Sequence, residues 1–110
     1  MADLYLRQND VRTVTRTLRD GAGVVIDLTN AASGVFSARR IDSGAVVINR
    51  AALTFVVPRT GGQVSLPFTA LHLATATALE LELEITWSDG QIWTFPSGAT
   101  YTVLVQDDIA

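Results

Sequence analysis

Cysteine and lysine are both absent from this 110-residue chain, histidine and methionine occur once each, and tryptophan occurs twice. Without cysteine there is neither a disulfide framework nor a thiolate metal site, so the redox compartment cannot be read from the composition. The opening Met1-Ala-Asp-Leu-Tyr-Leu-Arg-Gln-Asn-Asp10 lacks the basic start and apolar run of a signal peptide, which gives the expectation of a chain made and kept in a cytoplasm and not secreted. Long apolar runs are missing too. Ala45 to Ile48 and Phe55 to Pro58 are far too short to span a bilayer, so no membrane partner is expected. All eight cations are arginine, and against eleven Asp and Glu they leave a net charge of −3. That balance argues against a nucleic-acid face, which must neutralise several phosphates.

What is present is a chain with 48% hydrophobic and only 17% charged residues, more apolar than a disordered segment and long enough to bury a core of its own. No repeat, low-complexity tract or linker interrupts it, so residues 1–110 read as one domain. The apolar residues recur with period two in short segments separated by Gly, Asp, Asn and Ser, the pattern of consecutive β-strands. The expected fold class is all-β, an antiparallel β-sandwich of about seven to nine strands. The segments read as Leu4 to Gln8, Thr13 to Arg19, Val24 to Leu28, Val35 to Ile41, Ala45 to Asn49, Leu53 to Val57, Gln63 to Phe68, Leu79 to Ser88, a strand through Trp93 and Phe95, and Thr100 to Gln106. Thr29 to Ser33 reads as a connection, and Thr69 to Ala78 as a second one with room for a helical turn. Asp42-Ser43-Gly44 reads as a three-residue hairpin loop with Gly44 left-handed, and Pro96-Ser97-Gly98 as a strand break. Only Met1 to Asp3 and Asp107 to Ala110 look loose.

The strongest signal is the alternation of Leu79, Leu81, Leu83, Ile85 and Trp87 with Glu80, Glu82, Glu84, Thr86 and Ser88, a strand with one wet and one buried face. Loop length in the hairpin that follows decides which side chains share a face. A two-residue Asp89-Gly90 loop places Trp93 and Phe95 on the side of Glu84 and Thr86. A three-residue Ser88-Asp89-Gly90 loop pairs Ile85 with Trp93 and Leu83 with Phe95. The second is preferred, because it groups four large side chains toward the core, and it requires Gly90 in a left-handed bulge.

Catalytic chemistry has little to draw on. His72 is the one side chain that titrates near neutrality, and it lies between two leucines with no nucleophile in a recognisable setting. The Glu80, Glu82 and Glu84 row spaces its carboxylates by about 7 Å, too far apart for one cation without further ligands; solvation or pairing with neighbouring arginines is the expected fate. Asp107-Asp108 reads as a solvated tail. Gly21-Ala-Gly23 and Gly61-Gly62 lack the spacing of a phosphate cradle and read as turns. The tryptophans could form a sugar or peptide platform, but the preferred register places Trp93 in the core. No catalytic, metal or cofactor residue is assigned, and the chain is not expected to be an enzyme.

The order of segments carries a resemblance: Leu4-Tyr-Leu-Arg-Gln-Asn-Asp10, then Leu18-Arg-Asp-Gly21, Val25-Ile-Asp-Leu-Thr29, Ile85-Thr-Trp-Ser-Asp-Gly90, Thr94-Phe-Pro96 and Tyr101-Thr-Val103. Over nearly its whole length the chain resembles small tailed-bacteriophage virion proteins with an immunoglobulin-like sandwich, similar to the N-terminal domain of phage baseplate upper proteins. It departs from them in the Ala- and Thr-rich Leu71 to Ala78 stretch. The resemblance implies an immunoglobulin-like fold and a non-enzymatic baseplate, tail or head accessory role. It also implies contacts with other virion proteins in a symmetric homo-oligomeric assembly, and a location in the virion after synthesis in the bacterial host. Leu4, Tyr5, Leu6, Tyr101 and Val103, in the two terminal segments, are the candidate assembly contacts, since chain ends can supply an edge strand or an arm. The alternative is a host-surface or carbohydrate-binding module, which exposed aromatics around a loop cluster would favour.

Overall fold

The computed structural model describes residues 3–95 and 101–106. Among them the strands are β1 (Leu4–Arg7), β2 (Arg12–Thr17), β3 (Ala31–Arg40), β4 (Val46–Ala52), β5 (Thr54–Phe55), β6 (Gln63–Phe68), β7 (Ala78–Trp87), β8 (Ile92–Phe95) and β9 (Tyr101–Gln106). One sheet runs β1-β9-β7-β3-β4, with β8 also paired to β7, and the other runs β2-β6-β5. This is an immunoglobulin-like β-sandwich. The alternating leucines of β7 explain its central place: Leu79, Leu81, Leu83 and Ile85 are all buried, while the carboxylates between them face away. β3 pairs along the whole of one side of β7. The other side is divided, with β9 on Ala78–Leu81 and β8 on Leu83–Thr86.

The two sheets close over a single cluster of buried side chains. Phe36 of β3 meets Phe68 of β6 edge-on across the layers, with ring centroids 5.5 Å apart. Gly34 belongs to this packing, since a Cβ there would lie 2.6 Å from Leu53 Cδ1. On the solvent face of the larger sheet, Arg39 pairs with Glu80 at 2.8 Å and Arg50 with Glu84 at 3.0 Å. Glu80 and Glu84 of the glutamate row are thus tied to arginines, one on the adjacent β3 and one on β4 beyond it.

Several segments differ from their sequence reading. Val24 to Leu28 is no strand: one bridge, Arg19 with Val25, holds it just past the end of β2 through two bonds, one of them Asp20 N–H to Val24 O, and the ladder then stops because Leu28 turns to another loop. Ile26 N–H donates to Leu18 O and Leu28 N–H to Arg59 O. β3 begins at Ala31, inside the expected Thr29 to Ser33 connection, because Ala31 already pairs with Trp87. The strand expected over Leu53 to Val57 shrinks to Thr54–Phe55. The β3–β4 loop has four residues, not three: Arg40 N–H bonds Ala45 O, and Gly44 N–H returns to Arg40 O, with Gly44 at φ 73. In the second connection one turn forms, Leu73 N–H donating to Thr69 O, without becoming a helix. β1 joins β9 in parallel, the exception to the antiparallel expectation, since the two strands come from opposite ends of the chain and no hairpin links them. The Pro96-Ser97-Gly98 break, Thr100 and the Asp107-Asp108 pair lie outside the described residues.

The loops gather at two ends. At one, residues 18–30, 56–62 and 88–91 are tied together by Leu18 N–H to Gly62 O, Leu28 N–H to Arg59 O and Ser88 N–H to Asn30 O. At the other lie residues 8–11, 41–45 and 69–77, tied by Asn9 N–H to Leu73 O and Ile41 N–H to Ala78 O.

Candidate binding site at the tryptophan end

The β7–β8 hairpin has the expected register. Leu83 opposes Phe95 and Ile85 opposes Trp93, while Trp87 N–H bonds Gln91 O and Gly90 N–H bonds Trp87 O. These bonds close a three-residue loop with Gly90 at φ 89. The register does not carry Trp93 into the core, however. Its side chain is 44% exposed, whereas Ile85 opposite it is fully buried. Phe95 is buried in the core cluster and lines a pocket with Arg16 to Gly21. Trp93 lies two pairs nearer the loop.

Trp93 instead packs edge-on against Trp87, with centroids 4.9 Å apart and planes at 63°, so the two indoles form a corner. They border an open pocket of about 390 Å³, closed on the far side by Val25, Asp27 and Asn30 and at the loop by Asp89 and Gln91. Asp27 caps its own turn, its Oδ1 accepting from both the hydroxyl and the amide of Thr29. Those two bonds, the hydroxyl's first, hold its carboxyl below the usual range. Asp89 Oδ1 accepts from Gln91 N–H, and Gln91 Oε1 from Trp93 Nε1 at 3.4 Å. Trp87 Nε1 is shielded from solvent without a hydrogen-bond partner among the described residues.

With this geometry in place, the wider likeness can be stated. The sandwich is similar in fold to CopC. The crystal structure of CopC from Methylosinus trichosporium OB3b aligns with a TM-score of 0.58 at 11% identity, over 100% of this chain and 89% of that one. No family model matches the sequence, and no curated protein does. At such identity the likeness concerns the fold alone, which hosts unrelated functions.

The candidate assembly contacts fall together but are mostly occupied by packing. Leu4 opposes Val103 and Tyr101 opposes Leu81. Leu6 and Val103 are fully buried, and Leu4 and Tyr101 pack partly buried against the core. They offer the surface little, because the alternation that turns Leu4 and Leu6 inward leaves Tyr5 as the one of the five that is mainly exposed. Tyr101 also carries the Arg16 guanidinium 3.3 Å above its ring, and burial lowers the pKa of that arginine. β1 forms one edge of its sheet.

His72 has a structural use. Its Nδ1 accepts the Thr69 N–H, and its own N–H reaches Thr69 Oγ1, closing the turn while the ring meets Phe36 edge-on. Burial lowers its pKa, consistent with an imidazole kept neutral as an acceptor. Among the described residues no three His, Cys, Asp or Glu side chains converge as a metal site would require. The Trp87–Trp93 pair, offered in the sequence as a platform and set aside because Trp93 was expected in the core, borders a pocket; its signal was the Trp-Ser-Asp-Gly-Gln-Ile-Trp spacing, which brings both rings to one hairpin end.

Proposed function

We propose that this chain is a non-enzymatic structural component of a phage virion, of the baseplate, tail or head accessory kind, acting through protein–protein contacts in a symmetric homo-oligomeric assembly. The observation that carries this reading is the exposure of large apolar side chains at both loop ends, Val24, Val57 and Ile92 at the tryptophan end and four more at the end away from it. Val11, Ile41, Val46 and Leu71 all emerge there, Leu71 being 82% exposed. Val11 and Leu71 leave the same end of the β2–β6 ladder, beyond its last pair, Arg12 with Phe68. Several large apolar groups left in water suit a contact surface. β1, an edge strand among the described residues with Tyr5 on it, offers a second route, since edge strands can pair with another chain. The resemblance running from Leu4-Tyr-Leu to Tyr101-Thr-Val103 points to virion proteins as the partners.

Quantitative mass spectrometry of purified particles tests the proposal, with the chain expected at a fixed stoichiometry. Absence from wild-type particles would defeat it. Val11→Asp with Leu71→Asp should lower occupancy while leaving the fold intact, because both side chains already stand in water. Full occupancy of that variant would remove the end face from the assembly.

A second reading, a host-surface or carbohydrate-binding module, is favoured by one observation: Trp93 is exposed beside Trp87 within a loop cluster.

A further inference from the structure

We propose that the corner between Trp87 and Trp93 is a subsite for one neutral pyranose ring; this inference rests on the carbohydrate-binding reading. Size comes first. A pocket of about 390 Å³ lies in the range of small-molecule sites, which combine aromatic walls with a few placed polar groups. Here the walls are two indoles meeting at 63°, so each presents surface to a ligand lodged in the corner. A pyranose has C–H faces that pack on such rings and a rim of hydroxyls that both donate and accept.

The polar groups match that rim on both counts. Asp27 and Asp89 use only Oδ1 in the hydrogen bonds they make within the protein, which leaves Oδ2 of each to accept from a hydroxyl. Trp87 Nε1 is shielded from solvent and Trp93 Nε1 already donates to Gln91 Oε1, so the donors that face a ligand are the side-chain amides of Asn30 and Gln91. A cation is the competing ligand, since indoles and carboxylates together attract one. It would leave the amide donors of Asn30 and Gln91 unanswered, because a cation accepts no hydrogen bond. A neutral ligand carrying both donors and acceptors satisfies the whole set.

The pocket is held in shape without a ligand. Ser88 N–H to Asn30 O at 2.9 Å and the Ala31–Trp87 pair fasten the two walls to each other. Ile26 N–H to Leu18 O and Leu28 N–H to Arg59 O fasten the loop wall to the rest of the sandwich. Little ordering is therefore lost on binding. A single ring offers about a dozen heavy atoms, so its dissociation constant should be on the order of 1 mM.

The chain contains two tryptophans, so the ¹⁵N-labelled protein shows two indole N–H resonances, both from the proposed site. The probes are the methyl pyranosides of glucose, mannose, galactose and N-acetylglucosamine, with tetramethylammonium chloride titrated separately. Saturable shifts of the indole resonances with at least one pyranoside are expected, with affinity at least tenfold weaker in Trp93→Ala. That ring is 44% exposed, so its removal should leave the remaining spectrum folded. Indole shifts with tetramethylammonium alone would overturn the pyranose in favour of a cation. Pyranoside shifts confined to other residues, unchanged in Trp93→Ala, would overturn this site and leave the carbohydrate reading standing. No shift with any pyranoside at 100-fold excess over the expected constant would end both.

Discussion

Gly62 sits where three segments of the tryptophan end meet, and replacing it with alanine tests how tightly that end is built. Its φ is +66, and a Cβ there would lie 2.6 Å from both Ile26 O and Val25 Cγ1. Its carbonyl accepts from Leu18 N–H at 2.7 Å, and its own N–H donates to Arg59 O at 3.1 Å, so the residue cannot swing away without breaking bonds. Two costs should add. The left-handed backbone costs a residue bearing a Cβ about 1 kcal/mol. Forcing a methyl group against a backbone carbonyl costs about 1–3 kcal/mol more, as in other overpacked sites. Gly62→Ala should therefore lose about 2–4 kcal/mol, a large share of a small domain's stability, and lower Tm by roughly 10–25 °C. Gly90→Ala is the control, because Gly90 has φ +89 with nothing within 4 Å of the added Cβ. It should cost only the conformational part, about 1 kcal/mol. Urea unfolding followed by tryptophan fluorescence measures both. If the two variants agree within about 0.5 kcal/mol, near the error of such extrapolations, the clash reasoning fails and residues 25–26 yield freely.

Gly34→Ala meets side chains only, Leu53 Cδ1 at 2.6 Å and Ile85 Cδ1 at 3.0 Å; a loss of about 1–3 kcal/mol is expected, partly recovered by adding Leu53→Val, and simple additivity would count against the contact. Double-mutant cycles on Arg39–Glu80 and Arg50–Glu84 should give couplings of about 0.2–1 kcal/mol that fade with salt, because both arginines are well exposed and both glutamates only partly covered; a larger, salt-insensitive value would contradict this. For His72, burial lowers the folded-state pKa, so the unfolded chain binds the proton more tightly. Its contribution is complete above the unfolded value of about 6.5 and is lost as pH falls through the folded value. His72→Asn keeps an acceptor for Thr69 N–H without titrating, and should flatten the stability profile between about pH 7 and 5; an unchanged slope would show that other groups set it.

Much of the fold was legible because β7 alternates without a fault and the turns carry glycine where positive φ is needed, at Gly44 and Gly90. β6 is bounded at Gln63 and Phe68 as the pattern indicates. The errors fall where alternation occurs without a partner strand. Val24 to Leu28 has the composition of a strand, but its backbone groups are taken by Leu18 and Arg59, which no local pattern announces. The break in β4 is similar: Phe36 opposes Ala51 while Ala38 opposes Ile48, so Asn49 and Arg50 bulge against Ser37. Arg50 takes φ 53 there and donates its N–H to Ser37 Oγ. A bulge of this kind blunts an edge strand against unwanted pairing, a constraint set by the neighbours a strand lacks.

The misplacement of Trp93 has a more general cause. Hairpin register decides which face a side chain takes, and that was read correctly: Trp93 lies opposite Ile85. Burial needs a second condition, that the opposing sheet extends over the position. Here the sheets are unequal, six strands over three among the described residues, and at the hairpin end Trp93 stays 44% exposed while Phe95 is buried. The core-side face of β8 there becomes an apolar surface open to water. Its companion wall, residues 25–30, is the same segment whose strand-like composition failed to pair. Both errors therefore meet in the pocket bordered by Trp87 and Trp93, and consistency between local pattern and fold is what functional surfaces most often break.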